Sequence, residues 1–295
     1  MQKCRLELLN DGYTVRRGII QSQTINTLRR LGTTHSKLGG IHKHNGVRQP
    51  HAFRKAPFIA QVFSGNTLVQ FITDCFGTEK WYLTNHADLH TNALSGWHKD
   101  DGMTYGNGGY FKRPAYDLED PKVFKVAIYF QDHIHFNDGI TIIPKSHRIA
   151  EIRSGDVLHL ETLMGDVLIF DPRLSHTGQI KPIPDPLTRY GEKTINSISD
   201  KIDAINSKKL PGSAREAELL ELFRSKTGVR SSVFFTVAVE SESSNIFSIT
   251  NMERQINELG SETSPFLPVS VIEYINKLGV QSVDSMNFWK NRFTI

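Results

Sequence analysis

Hydrophobic and polar residues alternate along several short segments in the middle of the chain. Within residues 123–130, Phe124, Val126 and Ile128 fall on one face, whereas Lys125 and Tyr129 fall on the other. This period of two predicts a β-strand with one face in a core and the other able to line a pocket. Further strands are predicted where short apolar runs lie between turn residues, at 81–87, 140–143, 166–170 and 233–239.

Helical spacing of apolar residues appears on both sides of this region. Ser22 precedes an amphipathic run containing Ile25 and Leu28, and a second run over 60–76 ends at Gly77. Residues 32–55 lack periodicity and are predicted to form a loop. Further along, we expect a helical insertion or lid at 190–228 and a helical C-terminal extension at 251–295.

Many short strands separated by Gly, Pro and Asp turns favour a β-sandwich or jelly roll. The predicted class is therefore mainly β with flanking helices. A length of 295 residues suits a single domain of this kind, and no internal repeat is apparent.

The composition narrows the function classes. The net charge of +4 is too small to argue for a nucleic-acid partner, and no apolar run is long enough to predict a membrane span. The two cysteines, Cys4 and Cys75, provide neither a disulfide framework nor a thiolate metal cluster. We expect a cytoplasmic protein that acts on a small molecule; the sequence does not indicate its oligomeric state.

A candidate metal motif lies at Trp97-His98-Lys99-Asp100. Residues i and i+2 of an extended segment point to the same side, so His98 and Asp100 can reach one ion. A third candidate ligand, His176, directly follows the strand predicted at 166–170. Two imidazoles and one carboxylate on one face of an octahedron suit Fe(II) and leave positions for a co-substrate and oxygen.

At this point the sequence resembles the phytanoyl-CoA dioxygenase (PhyH-like) branch of the Fe(II)/2-oxoglutarate-dependent oxygenases. The resemblance lies in four blocks in the same order: Asp11-Gly12-Tyr13, Trp97-His98-Lys99-Asp100, Asp138-Gly139 through Pro144-Lys145-Ser146-His147, and Gly165-Asp166 through His176. Lys145 replaces the usual Gly of the third block. The resemblance implies a double-stranded β-helix, also described as a cupin-like jelly roll. It also implies iron held by His98, Asp100 and His176, with 2-oxoglutarate and O2 as co-substrates.

The resemblance also implies an Arg for the distal carboxylate of 2-oxoglutarate, because a planar guanidinium pairs with a carboxylate through two hydrogen bonds. Arg189 has nearly the family spacing but lies among Pro and Gly. Arg230 begins an evident strand and is followed by Ser232 on the same face, so we prefer this pair. Asn85 and Tyr129 are weaker candidates for contacts with 2-oxoglutarate; an exposed Asn and a solvated strand face are the alternatives.

These patterns predict a 2-oxoglutarate-dependent dioxygenase that oxidises, by default hydroxylates, a C–H bond of a small metabolite and releases succinate and CO2. Desaturation, cyclisation and demethylation remain open, as does the substrate. Two other functions compete with this one. The first is a cupin-like metalloenzyme that does not use 2-oxoglutarate, and the second is a non-catalytic β-sandwich that binds a ligand.

Overall fold

The computed structural model describes residues 3–178, Ala204 and 230–293, apart from short stretches at 37–39, 44–45, 79, 94, 104–107, 114–115, 117, 119, 121 and 134–138. The helices of this part of the chain are α1 (Lys3–Asp11), α2 (Ser22–Ser36), α3 (Ala52–Lys55), α4 (Asn66–Phe76), α5 (Glu242–Leu259), α6 (Val269–Lys277) and α7 (Asn287–Phe293). The strands are β1 (Tyr13–Arg16), β2 (Ile41–Lys43), β3 (Gly46–Pro50), β4 (Trp81–Thr91), β5 (Val123–Tyr129), β6 (Ile140–Ile142), β7 (Leu158–Leu160), β8 (Val167–Phe170), β9 (His176–Thr177), β10 (Ser231–Val239) and β11 (Gln281–Ser282).

Two sheets face each other. Over the described residues, the large sheet has the strand order β1-β8-β5-β10-β4-β3-β2, with β11 added in parallel beside β4. The small sheet has the order β7-β6-β9. Neighbouring strands of both orders pair antiparallel. This arrangement is the jelly roll with flanking helices that the strand pattern predicts, and the sheets do not close into a barrel.

The alternation in β5 separates a core face from an inner face, as predicted. Phe124, Val126 and Ile128 are buried in the main hydrophobic cluster, together with residues of α2, α4 and β10. On the opposite face, Ala127 and Tyr129 join a second cluster that lies between the two sheets. The inner face of the large sheet therefore meets the small sheet at one end and is available for a site beside it.

Helix α4 shows why one of the predicted helices begins late. The segment 60–76 is not one continuous helix, because a 3₁₀ helix at Pro57–Phe63 is followed by Gly65 with φ of 89°. The α-helix starts only at Asn66. It ends where predicted: Gly77 adopts the left-handed conformation at φ of 70°, and its N–H bonds the carbonyl of Thr73.

The predicted loop at 32–55 was wrong, since it contains the end of α2, the hairpin β2–β3 and α3. The strands escaped detection because each carries a single β-branched residue, Ile41 or Val47, among Gly, Pro and polar residues. β3 is held by pairing with β4, where Arg48 lies opposite His90. Arg48 of β3 also lines the cavity of the candidate site.

The C-terminal helices α5 and α7 pack against one end of the large sheet. The helical segment begins at Glu242 rather than at 251, and Ser241 caps it through a reciprocal bond with Ser244. Phe247 and Met252 of α5 pack with Tyr110 and Trp289 in a separate apolar cluster. The predicted insertion at 190–228 lies outside the described residues, apart from Ala204. No described helix is long and apolar enough to cross a membrane.

Candidate metal centre

A short antiparallel bridge brings two of the predicted ligands side by side. The N–H of His98 donates to the carbonyl of His176 at 3.0 Å, and the N–H of His176 donates to that of His98 at 3.0 Å. Asp100 is fixed two residues later, because its N–H donates to the carbonyl of Pro172 at 2.7 Å. The segment that carries His98 and Asp100 thus runs beside the strand that carries His176.

The side chains of these three residues converge. One ligand atom of each of His98, Asp100 and His176 lies within 4.8 Å of the other two. Each imidazole points its Nδ1 at a backbone carbonyl, Gly96 for His98 at 2.7 Å and Leu174 for His176 at 2.9 Å. A proton on Nδ1 satisfies that carbonyl and leaves the Nε2 lone pair for a metal, which is the usual arrangement around metal-binding histidines.

The protonation states also suit metal binding. The surrounding protein and the nearby His176 lower the pKa of His98 to about 4, so its imidazole is neutral at pH 7. Burial acts to raise the pKa of Asp100, but the ammonium group of Lys125, the largest opposing influence, holds that pKa well below its usual range. Neutral imidazoles and an ionised carboxylate are the forms that bind a cation.

This donor set fits the Fe(II) that the sequence predicts. Imidazole and carboxylate ligands on one side of a site, without a thiolate, suit a divalent metal that keeps further coordination positions. The Nδ1–carbonyl contacts fix both rings with their Nε2 atoms directed toward Asp100: the Nε2 of His176 lies 3.2 Å and that of His98 3.8 Å from the carboxylate.

The three side chains line a cavity of about 400 Å³ between the two sheets. This volume lies in the range of small-molecule sites, roughly 300–1,000 Å³. One part of the cavity is the metal end, defined here by His98, Asp100, His176, Lys125 and Arg230. The other part is the α5 end, defined by Arg48, His86, Asp88, Asn251 and Arg254.

Arg230 lies in the metal end, immediately before β10. Its guanidinium donates to the carbonyls of Ala93 and of Gly139, the latter at 3.0 Å, and its N–H donates to the side chain of Asn92 at 3.0 Å. Arg230 is 5% exposed and is one of the residues that line the cavity. The alternative candidate, Arg189, lies outside the described residues.

Of the other residues predicted to contact 2-oxoglutarate, some line the cavity and others do not. Tyr129 lines the cavity from β5. Ser232 pairs with Tyr129 in the sheet and lies on β10 between two cavity residues, Arg230 and Phe234, although it is not itself among the lining residues. Lys125, on the same face of β5 as Tyr129, is buried and donates to Asp100 Oδ2 at 2.7 Å. That face is a cavity wall rather than a solvated surface.

The structure does not bring Asn85 into the site. Its amide donates to Asp284 at 2.6 Å and accepts from the hydroxyl of Ser282 at 3.0 Å, so the side chain ties β4 to the C-terminal segment. Asn85 has φ of 63°, and the pairing of β4 with β10 shifts register nearby. Asn85 is a candidate only because of its position on the strand 13 residues before His98, and that spacing carries no information about this irregular backbone.

The block around Lys145 supports the metal end from outside. Lys145 adopts φ of 66°, a conformation that glycine takes without strain, which accounts for the Gly usual at this place in the pattern. The hydroxyl of Ser146 accepts from the N–H of Ser175 at 2.8 Å and donates to the carbonyl of Ile143 at 2.6 Å. Ser146 thereby fixes the residue before His176.

Sequence reasoning missed most of the α5 end. The structure places His86 beside Asp88 and Arg254, and Arg48 of β3 contacts the same carboxylate. One signal was available, namely that His86, Asp88 and His90 alternate along a predicted strand and its continuation. The partners on β3 and α5 are far away in sequence and gave no such signal.

Solved structures share this fold at low sequence identity. HygX of Streptomyces hygroscopicus, determined with nickel, 2-oxoglutarate and hygromycin B, matches with a TM-score of 0.51 and 12% identity over 81% of this chain and 87% of that chain. The non-heme alpha ketoglutarate dependent carbocyclase SnoK from nogalamycin biosynthesis matches with a TM-score of 0.50 and 11% identity over 81% and 83%. The epimerase SnoN from the same biosynthesis matches with a TM-score of 0.50 and 9% identity over 80% of each chain.

No protein-family model and no curated protein sequence matches this chain. At identities this low, the structural matches establish the jelly-roll fold alone.

Proposed function

We propose that this protein is an Fe(II)/2-oxoglutarate-dependent oxygenase that oxidises, by default hydroxylates, a C–H bond of a small molecule. The observation that carries the proposal is the convergence of His98, Asp100 and His176 in a cavity that Arg230 also lines. The three solved structures named above are consistent with this class, because two of them are described as alpha ketoglutarate dependent and the third contains 2-oxoglutarate. Assignment to the PhyH-like branch remains part of the proposal.

Four residues of the metal end have assigned tasks in this proposal. His98, Asp100 and His176 would hold Fe(II), with both rings oriented by the carbonyls at their Nδ1 atoms. Arg230 would bind the distal carboxylate of 2-oxoglutarate, assisted by Ser232 and Tyr129. Asn85 has no part in it, because its side chain is engaged by Asp284 and Ser282. Bound iron and 2-oxoglutarate would supply the oxygen-dependent oxidation of the substrate, with succinate and CO2 as the co-products.

The protein around the metal end would also keep the reaction enclosed. Tyr129 and Phe234 are contributed by neighbouring strands, and their rings lie 5.9 Å apart beside the cavity. Apolar walls of this kind exclude water from a reactive centre and strengthen the attraction between Arg230 and an anionic co-substrate.

The test is succinate formation from 2-oxoglutarate by protein loaded with Fe(II) without oxygen and then exposed to it. We expect slow, iron-dependent turnover even without substrate, and its loss in His176→Ala but not in His35→Ala, a histidine outside the cavity. Binding of iron without binding of 2-oxoglutarate would contradict the proposal and favour the cupin-like alternative. Absence of both would leave a binding fold.

A further inference from the structure

The α5 end of the cavity is built as a polar surface on three separate elements. His86 and Asp88 project from β4, Arg48 projects from the neighbouring strand β3, and Asn251 and Arg254 project from α5. Four of these five side chains carry a charge or an imidazole, which is an unsuitable lining for an acyl chain. The composition of this end therefore indicates that the group bound here is itself polar.

The two arginines of the α5 end are held by a carboxylate behind them. Glu258 accepts from Arg48, and it accepts from Arg254 Nη1 at 2.9 Å. Arg254 Nη2 also donates to Asn251 Oδ1 at 3.1 Å. These contacts fix both planar guanidinium groups at the cavity wall, so they frame the space as oriented donors.

Asp88 is satisfied much less well. It is 5% exposed, and its contacts among the described residues are Arg48 Nη1 at 3.4 Å and His86 Nε2 at 3.4 Å, both long for charge-assisted hydrogen bonds. Burial acts to raise the pKa of Asp88, but His86, Arg48 and Arg254 outweigh it and hold that pKa well below its usual range. A carboxylate in this state has acceptor capacity for about four hydrogen bonds.

His86 cannot satisfy both of its neighbours. Its Nε2 lies 3.4 Å from Asp88 Oδ2, which only accepts, and 3.4 Å from Arg254 Nη2, which only donates. A neutral imidazole Nε2 is either a donor or an acceptor, so one of these two contacts is not a hydrogen bond. His86 Nδ1 is already paired with the hydroxyl of Thr236 at 2.7 Å. In either case Asp88 receives at most two hydrogen bonds from the described residues, fewer than its carboxylate can accept.

The charges decide what kind of donor fits. Arg48 and Arg254 balance Asp88 and Glu258, so this network is neutral before anything binds. A cationic or anionic ligand group would leave one charge of this balanced network uncompensated beside the buried Asp88 and Arg48, which is costly. Hydroxyl groups donate to a carboxylate and accept from a guanidinium without adding charge. The rings of Phe234 and Tyr110 provide apolar surface nearby for the carbon skeleton.

We propose that the α5 end recognises an uncharged, hydroxyl-rich group of the substrate, such as a sugar or cyclitol ring, with Asp88 as the principal acceptor. This inference rests on the proposed function, because it assigns the substrate of the same site. It excludes an acyl thioester as the group bound there.

The test uses protein loaded with Zn(II), which supports no turnover, and 2-oxoglutarate. Binding of four probes is followed by saturation-transfer NMR and titration: methyl α-D-glucopyranoside and myo-inositol as uncharged polyols, n-butylamine as a cation and n-butyl phosphate as an anion. We expect a polyol to bind in preference to the charged probes. Asp88→Asn should weaken that binding about tenfold, equivalent to about 1.4 kcal/mol, because the amide is a weaker acceptor than the carboxylate. The control variant Asp156→Asn, at an exposed position, should leave polyol binding unchanged.

The outcomes separate the two proposals. Zinc and 2-oxoglutarate binding are measured first, and their absence counts against the proposed function. In loaded protein, preferential binding of the amine or the phosphate overturns the assignment of an uncharged group, as does failure of both polyols to bind. Equal polyol affinity in Asp88→Asn removes Asp88 from recognition. The comparison of probes on the unaltered protein stands even where Asp88→Asn is unstable.

Discussion

The two ends of the cavity differ in how well the protein satisfies its own polar groups. At the metal end, the imidazoles of His98 and His176 meet carbonyls at 2.7 and 2.9 Å, and Lys125 meets Asp100 at 2.7 Å. At the α5 end, Asp88 meets both of its neighbours at 3.4 Å. The metal end is therefore organised before anything binds, whereas the α5 end has acceptor capacity that a ligand would complete.

Two kinds of polar wall therefore occur in one cavity. A metal site requires ligands aimed within a few tenths of an ångström, so backbone contacts fix them in advance. A surface that selects a polar molecule requires unmet hydrogen-bonding capacity, because the bound molecule contributes the missing partners. Substitutions at the metal end and at the α5 end should therefore change different measured properties.

The largest effect is expected at Lys125, which supplies positive charge to Asp100 in metal-free protein. Lys125→Met leaves a largely buried carboxylate without its cation, and the free energy of unfolding should fall by about 3 kcal/mol. Added Zn(II) should restore more stability in this variant than in the unaltered protein. Chemical denaturation with and without zinc measures both quantities. Lys122→Met, which removes a more exposed ion pair, is the control, and equal losses in the two variants would contradict the argument.

The second effect separates co-substrate binding from metal binding. Arg230→Ala removes the cation proposed to hold 2-oxoglutarate, so its KM for this compound should rise about 50-fold, equivalent to about 2.3 kcal/mol. Arg230→Lys should be intermediate, because it keeps the charge but loses the planar fork. Calorimetric titration with Zn(II) provides the control, since its affinity should not change. An unaltered KM would contradict the role of Arg230 and favour Arg189 as the residue that binds 2-oxoglutarate.

Much of the metal end could be predicted from sequence because its ligands follow simple local patterns. His98 and Asp100 are two residues apart, and His176 follows a run of apolar residues that forms β8. The alternation of β5 likewise predicted that Lys125 and Tyr129 share a face. In each case the orientation of the side chain depends on backbone geometry within a few residues.

The α5 end could not be predicted in this way because its contacts are distant in sequence. Arg48 and Glu258 are 210 residues apart, and Arg48 lies in a segment whose polar composition concealed a strand. Asn85 lies in a correctly predicted strand, but its spacing from His98 did not reveal the left-handed backbone at this residue or its bonds to Asp284 and Ser282. Tertiary pairing and a single positive φ angle are invisible to periodicity.

The third effect concerns His90, whose ring lies 5.2 Å from that of Phe234 beside the α5 end. Burial lowers the pKa of His90 to about 3, although Asp88 acts in the opposite direction. Between about pH 6.5 and pH 3, His90 is therefore protonated in the unfolded chain but not in the folded chain. The free energy of unfolding consequently decreases as the pH falls below about 6.5. Between pH 7 and 5 this residue should account for about 2 kcal/mol. Chemical denaturation in EDTA should show that the free energy of unfolding of His90→Phe, which retains a ring, depends less on pH than that of the unaltered protein. An equal pH dependence in the two proteins would refute this.

The smallest effect tests whether the two ends are independent. Glu258→Gln weakens the support of Arg48 and Arg254, and because Glu258 is about a quarter exposed, the free energy of unfolding should fall by only about 1 kcal/mol. Zinc affinity should remain unchanged, since no residue of the metal end contacts Glu258 among the described contacts. A double variant with Lys125→Met, analysed by denaturation, should give additive losses. A coupling comparable to the single effect would show that the two ends form one electrostatic unit.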